Sequence, residues 1–535
     1  VPLYTTAQEF YGTPPGWINA TDGARLASYE FYKALFKNDP TTFKVTLRDD
    51  EENPVYIPSA KRIVRTMARY TCRDLGFAPV AISVGGAEAP AVTPEDQLQV
   101  ITAYGDLFNR EEFFANFRDA MEMGIAQGDF CLMVSGDPNK PEGSRLTLRF
   151  IDPGTYHARR DPADGQRISG CMVVERIYLN DKGEAGMPDS TKEYIKRQRW
   201  VKVTDPVHPA YAPPPAVPNY ETPIQYDSMI LETKDWEDPA KIQVFRTDVP
   251  MVEIPNITAL PIYHFRNRGE VGEVYGVSEL EGFERLFMAI NQAATDEDVA
   301  LAMQGLGLYV SSAKFVNEDG EEVDPVLGPR RVVTLSGPGK AADQFSRVSG
   351  VTDVSASQDH IGFLVDSAES TSGISDVALG QVDTTVAESG IALAIRMGPI
   401  FDESGRKDDR ILSKLKQFMY DLKAWFQEYE SITIPDGIGV EPVVGPKLPV
   451  DVDKQLARLQ DLYVNGIIPT RLYIVKLNEL GLDLGDPKAL MAELEAEAAA
   501  RLQREQDALG GQGDGRLEDE AGDGADDPAA DEPAS

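Results

Sequence analysis

Residues 348–395 contain neither lysine nor arginine, although the chain holds 52 basic residues. The gap carries Asp353, Asp359, Asp366, Glu369, Asp376, Asp383 and Glu388. Its pattern predicts a helix over 354–369, a polar Gly/Ser/Thr loop over 370–385, and the start of a long helix. Carboxylates without counter-charges nearby are costly to bury. The segment therefore has to keep a face in water, and it suits the wall of a passage that a polyanion slides past without sticking.

At 535 residues the chain exceeds one ordinary core, so several substructures are expected. A net charge of −35 opposes a conventional nucleic-acid binder, which neutralises phosphates with Lys and Arg. It does not oppose transient passage of DNA, where strong attraction would act as a brake; solubility alone is the plainer use of such acidity. Cys72, Cys131 and Cys171 form no CxxC pair and suit a reducing compartment without a disulfide framework. No N-terminal stretch has the order of a signal peptide, and no apolar run is long enough to predict a membrane span.

Along the chain, residues 22–37, 57–76, 94–107 and 110–127 have helical periodicity. Segments 130–135, 145–151, 170–179 and 193–204 are short, rich in β-formers and bounded by turns. The fold class is therefore α+β, with helices followed by a mostly antiparallel sheet. Seven prolines between Pro206 and Pro223 predict an exposed loop or arm. Strands are expected again near 242–247 and 261–266. A helix is expected over 278–304, with an apolar stripe of Leu280, Phe283, Phe287, Ile290 and Ala294 and a capping box of Ser278 and Glu281. A compact segment, 305–352, separates it from the helix over 354–369. A long helix over 386–429 should kink at Gly398-Pro399, because proline removes a hydrogen bond and clashes with the preceding turn. Beyond the kink, Ile411, Leu415, Phe418, Leu422, Trp425 and Tyr429 form a packing seam, whereas the Asp408-Asp409 pair reads as solvated helix surface. A helical module follows residue 451. The Gly/Ala/Asp/Glu/Pro tail from Gly510 has the composition of a disordered segment.

The motifs of several catalytic classes are missing. His157, His208, His264 and His360 are scattered, with no HExxH and no Cys/His pairing at zinc spacing. The SGPGKAA run at 336–342 fails as a phosphate loop, since Thr334 stands where the first glycine belongs and Ala341 follows Lys340. The sequence offers no catalytic, cofactor or metal residues.

Three stretches carry a resemblance. PIYHFRNRGEVGEVYGVSELEGFERLFMAINQAATD (261–296) is a strand, a Gly-rich turn and a helix, with Gly276-Val277-Ser278-Glu279-Leu280 at the junction. ESTSGISDVALGQVDTTVAESGIALAIRM (369–397) is a loop before a long helix, and LARLQDLYVNGIIPTRLYIVKL (456–477) is a helix, a Gly-Ile turn and a second helix. In this order the chain resembles the portal, or head-to-tail connector, proteins of tailed double-stranded DNA bacteriophages of the long-tailed type.

The resemblance implies a wing from 1–276, stem helices at 277–304 and 353–369, and a clip at 305–352. It further implies a tunnel loop at 370–385, a long kinked helix returning to the wing over 386–450, a crown at 451–509 and an acidic tail at 510–535. Such proteins form rings, usually of twelve subunits, at one capsid vertex of the virion, and assemble in the bacterial host cytoplasm. The implied partners are the major capsid protein, scaffold, terminase, a head–tail adaptor and the DNA in the channel, with no membrane and no cofactor.

Gln381, Asp383 and Thr384 are the expected channel-facing residues, with Gly373, Gly380 and Gly390 as hinges. Gly398 and Pro399 form the kink, and Arg330, Arg331, Lys340 and Arg347 are candidate partner contacts in the clip; solvated strand-end charge is the equal alternative for those four. The competing functions are another phage head or adaptor protein and a metal-dependent hydrolase with a scattered acidic site.

Overall fold

A break in helical periodicity after Gln127 divides the first half of the chain into helices and then strands, and the computed structural model follows that division. It describes residues 22–46, 54–81, 93–161, 167–180, 192–202, 224–232, 243–306, 308–311, 314–316, 334–336, 345–348, 355–380, 390–435, 437–447, 452–465, 467–479, 490–494, 496–497 and 499–501. The proline-rich 205–223, the tail from Gly510, and Arg330, Arg331, Lys340, Gln381, Asp383 and Thr384 lie outside the described residues. The chain mixes helix and sheet and divides into two compact units, Val1–Lys447 and Leu448–Ser535.

In the first unit, helices α1 (Asp22–Lys37), α2 (Ser59–Tyr70), α3 (Pro94–Arg110) and α4 (Phe113–Gln127) precede most of the sheet. α3 is started by a capping box of Thr93 and Asp96 with Pro94 in the first turn. α2 is shorter than its periodicity suggests, because Cys72 and Asp74 turn into the left-handed region and the Thr71 hydroxyl donates back to the Met67 carbonyl. β1 (Gly76–Ala81) pairs antiparallel with the distant β16 (Ile438–Val443). This long-range pair was not legible in the sequence.

The remaining strands form two antiparallel sheets. β2 (Asp129–Gly136) lies between β3 (Leu146–Ile151) and β9 (Ile262–Arg266). β4 (Tyr156–Arg160), β5 (Ile168–Leu179), β6 (Lys192–Lys202), β7 (Ile224–Glu232) and β8 (Gln243–Ile254) follow in chain order across the second sheet. β7 directly follows the proline-rich segment and had no counterpart in the sequence reading. β10 (Arg268–Gly269) and β11 (Gly276–Val277) make a small ribbon ahead of helix α5 (Glu284–Leu306).

Past α5 come β12 (Leu308–Ser311), β13 (Lys314–Val316), β14 (Thr334–Ser336) and β15 (Phe345–Val348), then α6 (Ser355–Thr371), α7 (Gly390–Arg396) and α8 (Gly398–Trp425). α8 continues into a π-helical turn, Phe426–Glu430. The α8 seam is buried as its spacing predicts: Ile411, Leu415, Phe418, Leu422 and Trp425 are each at most 3% exposed. It packs into an aromatic cluster in which the Phe113 ring lies 4.6 Å from Phe108 and 5.8 Å from Phe418, and the Tyr104 hydroxyl donates to the Met419 carbonyl at 2.6 Å. Each fully buried large apolar side chain contributes roughly 1.5–3 kcal/mol, so this seam is the mechanical spine of the unit.

One expectation changes here. Helix α5 begins at Glu284 rather than 278: the Ser278 hydroxyl donates to the Ala126 carbonyl at 2.5 Å and accepts from Leu280 N at 3.0 Å, but the chain then turns at Gly282, whose left-handed φ of 90° cannot continue a helix. Met397 separates α7 from α8, and Gly398-Pro399 open α8 as its first turn. Proline has no N–H to contribute there and fits a first turn.

The second unit contains α9 (Val452–Val464) and α10 (Thr470–Glu479), with further helix over 490–494. The two pack through the stacked rings of Tyr463 and Tyr473, 4.3 Å apart.

Candidate functional site

α5 and α6 form a pair joined at their far ends by β strands. β12 and β15 pair antiparallel from Leu308↔Val348 to Ser311↔Phe345, which ties the end of α5 to the start of α6 and makes the two helices antiparallel. β13 and β14 pair with each other, beyond that ladder. With 23 and 17 residues the helices are roughly 35 and 25 Å long at ~1.5 Å per residue.

Burial falls along both helices away from the strand-and-helix body. Phe287, Ile290, Asn291, Ala294 and Thr295 on α5, and Ala368 and Glu369 on α6, are buried at the base. Farther out, Leu301 is 42% exposed and Phe363 is 66% exposed. The pair therefore projects from the body.

Its outward ridges mix acids with apolar groups. On α6, Asp359, Phe363, Asp366 and Ser370 follow in steps of four, three and four, and all are exposed. On α5, Glu297 and Asp298 lie one turn before Leu301. Residues three and four apart share a helix face. The inward residues Leu364 and Val365 are half-buried and pack toward the core.

Polar side chains of α5 grip the backbone of the segment before α2. Ile57 N donates to Asn291 Oδ1 at 2.8 Å, Val55 N to Thr295 Oγ1 at 3.0 Å, and Thr46 N to Gln292 Oε1 at 2.7 Å. The junction ahead of α5 is held more tightly. Lys407 on α8 donates to Glu279 Oε2 at 2.6 Å and to Asn267 Oδ1 at 2.9 Å, and Asn267 also donates to Glu279 at 3.1 Å. Lys407 is 3% and Glu279 6% exposed, so this is a buried ion pair.

Next to it, a Cβ on Gly276 would meet the Gly128 carbonyl oxygen at 2.3 Å, which only glycine avoids. The Gly276 N–H donates to both carboxylate oxygens of buried Asp129, at 2.7 and 2.9 Å. Asp129 also binds the Tyr29 hydroxyl and lies 2.7 Å from His264 Nε2. Burial first, and then the charge of Asp129, hold the Tyr29 phenol well above its usual range.

At the base of α6, Glu369 is buried and pairs with Arg62 at 3.1 Å. Burial pushes its carboxyl up from the ordinary glutamate value; Arg62 opposes this, while Asp366 and Asp376 add to it. α6 ends in a Schellman motif: Ile374 N donates to the Glu369 carbonyl at 3.0 Å and Gly373 N to that of Ser370 at 3.2 Å. Gly373 supplies the required left-handed φ of 75°.

The first part of the expected tunnel loop does not project. Ile374 and Ala378 are at most 3% exposed and join the core, and the chain turns at Gly380 with φ 82°. Gly390 opens α7, and Arg347 sits in β15 opposite Tyr309.

Asp408 and Lys407 on α8 are further anchoring residues. Asp408, expected on the surface, is 6% exposed; it accepts from Cys72 N at 2.7 Å and pairs with Lys447 at 2.8 Å. Asp409 is exposed, as expected. Lys407 was detectable in principle. It stands four residues before Ile411 and three after buried Ser404, inside the apolar stripe. A charge at a stripe position needs a buried partner.

Comparison with protein-family models and with curated proteins finds no match. Among the described residues, no group of His, Cys, Asp or Glu is arranged to hold a metal ion, and no helix is long and apolar enough to cross a membrane.

Proposed function

We propose that the chain is a portal protein: a subunit of a ring-shaped conduit at one capsid vertex, through which double-stranded DNA is packaged, retained and released. The observation that carries this reading is the projecting α5/α6 pair. It is anchored at its base by a buried ion pair, joined at its far end by β strands, and studded outward with exposed apolar groups among acids. Phe363 and Leu301 stand in water on this two-helix projection, and in a ring each would be covered by a neighbouring stem. As a stem it would pack against neighbouring stems, with 305–352 as the clip, and its carboxylates would keep DNA from adhering to the wall.

In this reading the polar loop residues Gln381, Asp383 and Thr384 approach the DNA. The ring docks terminase during packaging and later an adaptor, and the subunit itself performs no chemistry. Electron microscopy of the purified full-length chain tests the proposal. Rings with an axial hole, most often twelvefold, are expected; a monomer or an open filament overturns it.

A further inference from the structure

A cavity of about 1070 Å³ lies between α8, β9, the loop after β10 and the five-stranded sheet. Arg410, Lys414, Gln417 and Asp421 line it from one ridge of α8, in steps of four, three and four. This ridge flanks the buried Ile411/Leu415/Phe418 seam, so the same helix presents apolar residues to the core and polar ones to the cavity. Arg266, the last residue of β9, faces the same space.

These three cations donate to neutral oxygens. Arg266 donates to the Glu273 carbonyl at 2.9 Å, Arg410 to the Asn267 carbonyl at 3.0 Å, and Lys414 to the Gln417 amide oxygen at 3.0 Å. Asp421, which accepts from the Tyr263 hydroxyl at 3.0 Å, is the acid on the same ridge, and Asp161, Glu270 and Glu273 line the other walls. Arg167 and Lys202 line the cavity as well, so five cations face four acids there, and Glu273 is already paired with Arg160 at 3.2 Å; in a chain of net charge −35 this local surplus of positive charge is an exception.

From this geometry we infer that the cavity binds a small multivalent anion, of the oligophosphate or polycarboxylate class, held by Arg266, Arg410 and Lys414. Guanidinium groups suit this role because they present paired donors to anionic oxygens, and Lys adds a point charge. The cavity is of the size that holds small ligands. Burial holds the Lys414 ammonium below the ordinary lysine range; Asp421 opposes this and Arg266 adds to it. A bound anion would relieve that repulsion.

Isothermal titration of the full-length chain with pyrophosphate and, separately, with citrate, at constant ionic strength, tests the inference. Saturable binding of one anion per subunit is expected. Arg410→Gln and Lys414→Gln should each weaken it at least tenfold, whereas Lys416→Gln, on another face of α8, should not. Stronger pyrophosphate binding identifies phosphate as the preferred chemistry, and stronger citrate binding identifies carboxylate; either supports the site. Absence of saturable binding by both, or binding unchanged in Arg410→Gln and Lys414→Gln, overturns it. Arg410 is exposed on its helix, so its variant remains informative if Lys414→Gln unfolds, which thermal unfolding without ligand reports. Ring formation is read separately, so failure here leaves the portal reading standing.

Discussion

Replacing Lys407 with methionine removes one partner of the ion pair that fixes the base of the helix pair. Glu279 would keep its hydrogen bond from Asn267 but lose the 2.6 Å ammonium contact. Both side chains are at least 93% buried, so water cannot replace the lost charge without opening the junction. Breaking a buried pair by removing one partner costs about 3–5 kcal/mol, because the remaining charge is left uncompensated. Lys407→Met should therefore destabilise the first unit by about that amount. Lys407→Met/Glu279→Leu, which removes both charges, should recover most of the loss, since apolar replacement of a whole buried pair is often near neutral.

The chain has two compact units, and one global midpoint would mix their transitions. Urea unfolding should therefore be followed through hydrogen exchange of amides in α5 and α8. The buried base of α5, residues 287–295, should lose protection along with the middle of α8. A loss below about 1 kcal/mol for Lys407→Met, or a double variant as unstable as the single one, would refute the claim that electrostatic pairing holds this junction.

Gly276→Ala should destabilise by at least about 1–3 kcal/mol in thermal or urea unfolding, as overpacking does, because the added methyl meets a backbone oxygen that cannot rotate away. Glu369→Gln should change the pH dependence of stability. Glu369 holds its proton to higher pH when folded than when unfolded, so its contribution is full below the ordinary glutamate value and is lost as pH rises through the raised one. Unfolding midpoints of wild type and variant should thus move apart across that window and run parallel above it. Phe363→Ser should leave unfolding of the subunit within about 0.5 kcal/mol, as exposed substitutions usually do, while lowering the ring fraction seen by native mass spectrometry. Asp383→Lys should leave ring assembly intact and impair DNA packaging or genome retention in an in vivo complementation assay; normal packaging would remove the loop from the DNA path.

The elements that were legible carry one strong period. The α8 seam from Ile411 to Trp425 repeats at helical spacing, and burial of that stripe decides the helix whatever its neighbours do. β2 and β5 announce themselves by runs of apolar β-formers bounded by turns. What escaped the reading depends on partners far away in sequence. Ser278 and Glu281 have the spacing of a capping box, but Ser278 also ties the junction to Ala126, 152 residues earlier, and the left-handed turn at Gly282 delays the helix by a turn and a half. Asp408 looks like half of a solvated acid pair, but the left-handed turn after α2 points Cys72 N at it. Local spacing shows that a polar group could act, and only the tertiary fold selects its partner. The described part of the loop after α6, residues 372–380, also takes its place from the tertiary fold. Its glycines do turn the chain, yet Ile374 and Ala378 are buried and Val377 and Leu379 pack against the same core, which docks it.

The outward ridges limit how copies of the helix pair can meet. A ridge of Asp359, Phe363 and Asp366 invites apolar contact at its centre and repels a like ridge on both sides. Two carboxylates about 6 Å apart repel by about 3 kcal/mol at an effective dielectric of 20 and by less than about 1 kcal/mol in water. Face-to-face pairing of identical ridges would bring such contacts together and exclude the water that weakens them. An arrangement in which Phe363 and Leu301 meet a neighbour's apolar surface while the carboxylates stay wet avoids that penalty. Around a closed ring every subunit makes the same heterologous contact, so this offset can repeat without juxtaposing acids. The wet carboxylates would then share one solvent space, and their repulsion of a polyanion would reach only about 8 Å at physiological salt. DNA centred in a wide opening would feel little of it. DNA drifting toward the wall would feel it strongly, which is how an acidic lining can prevent adhesion without opposing movement along the axis.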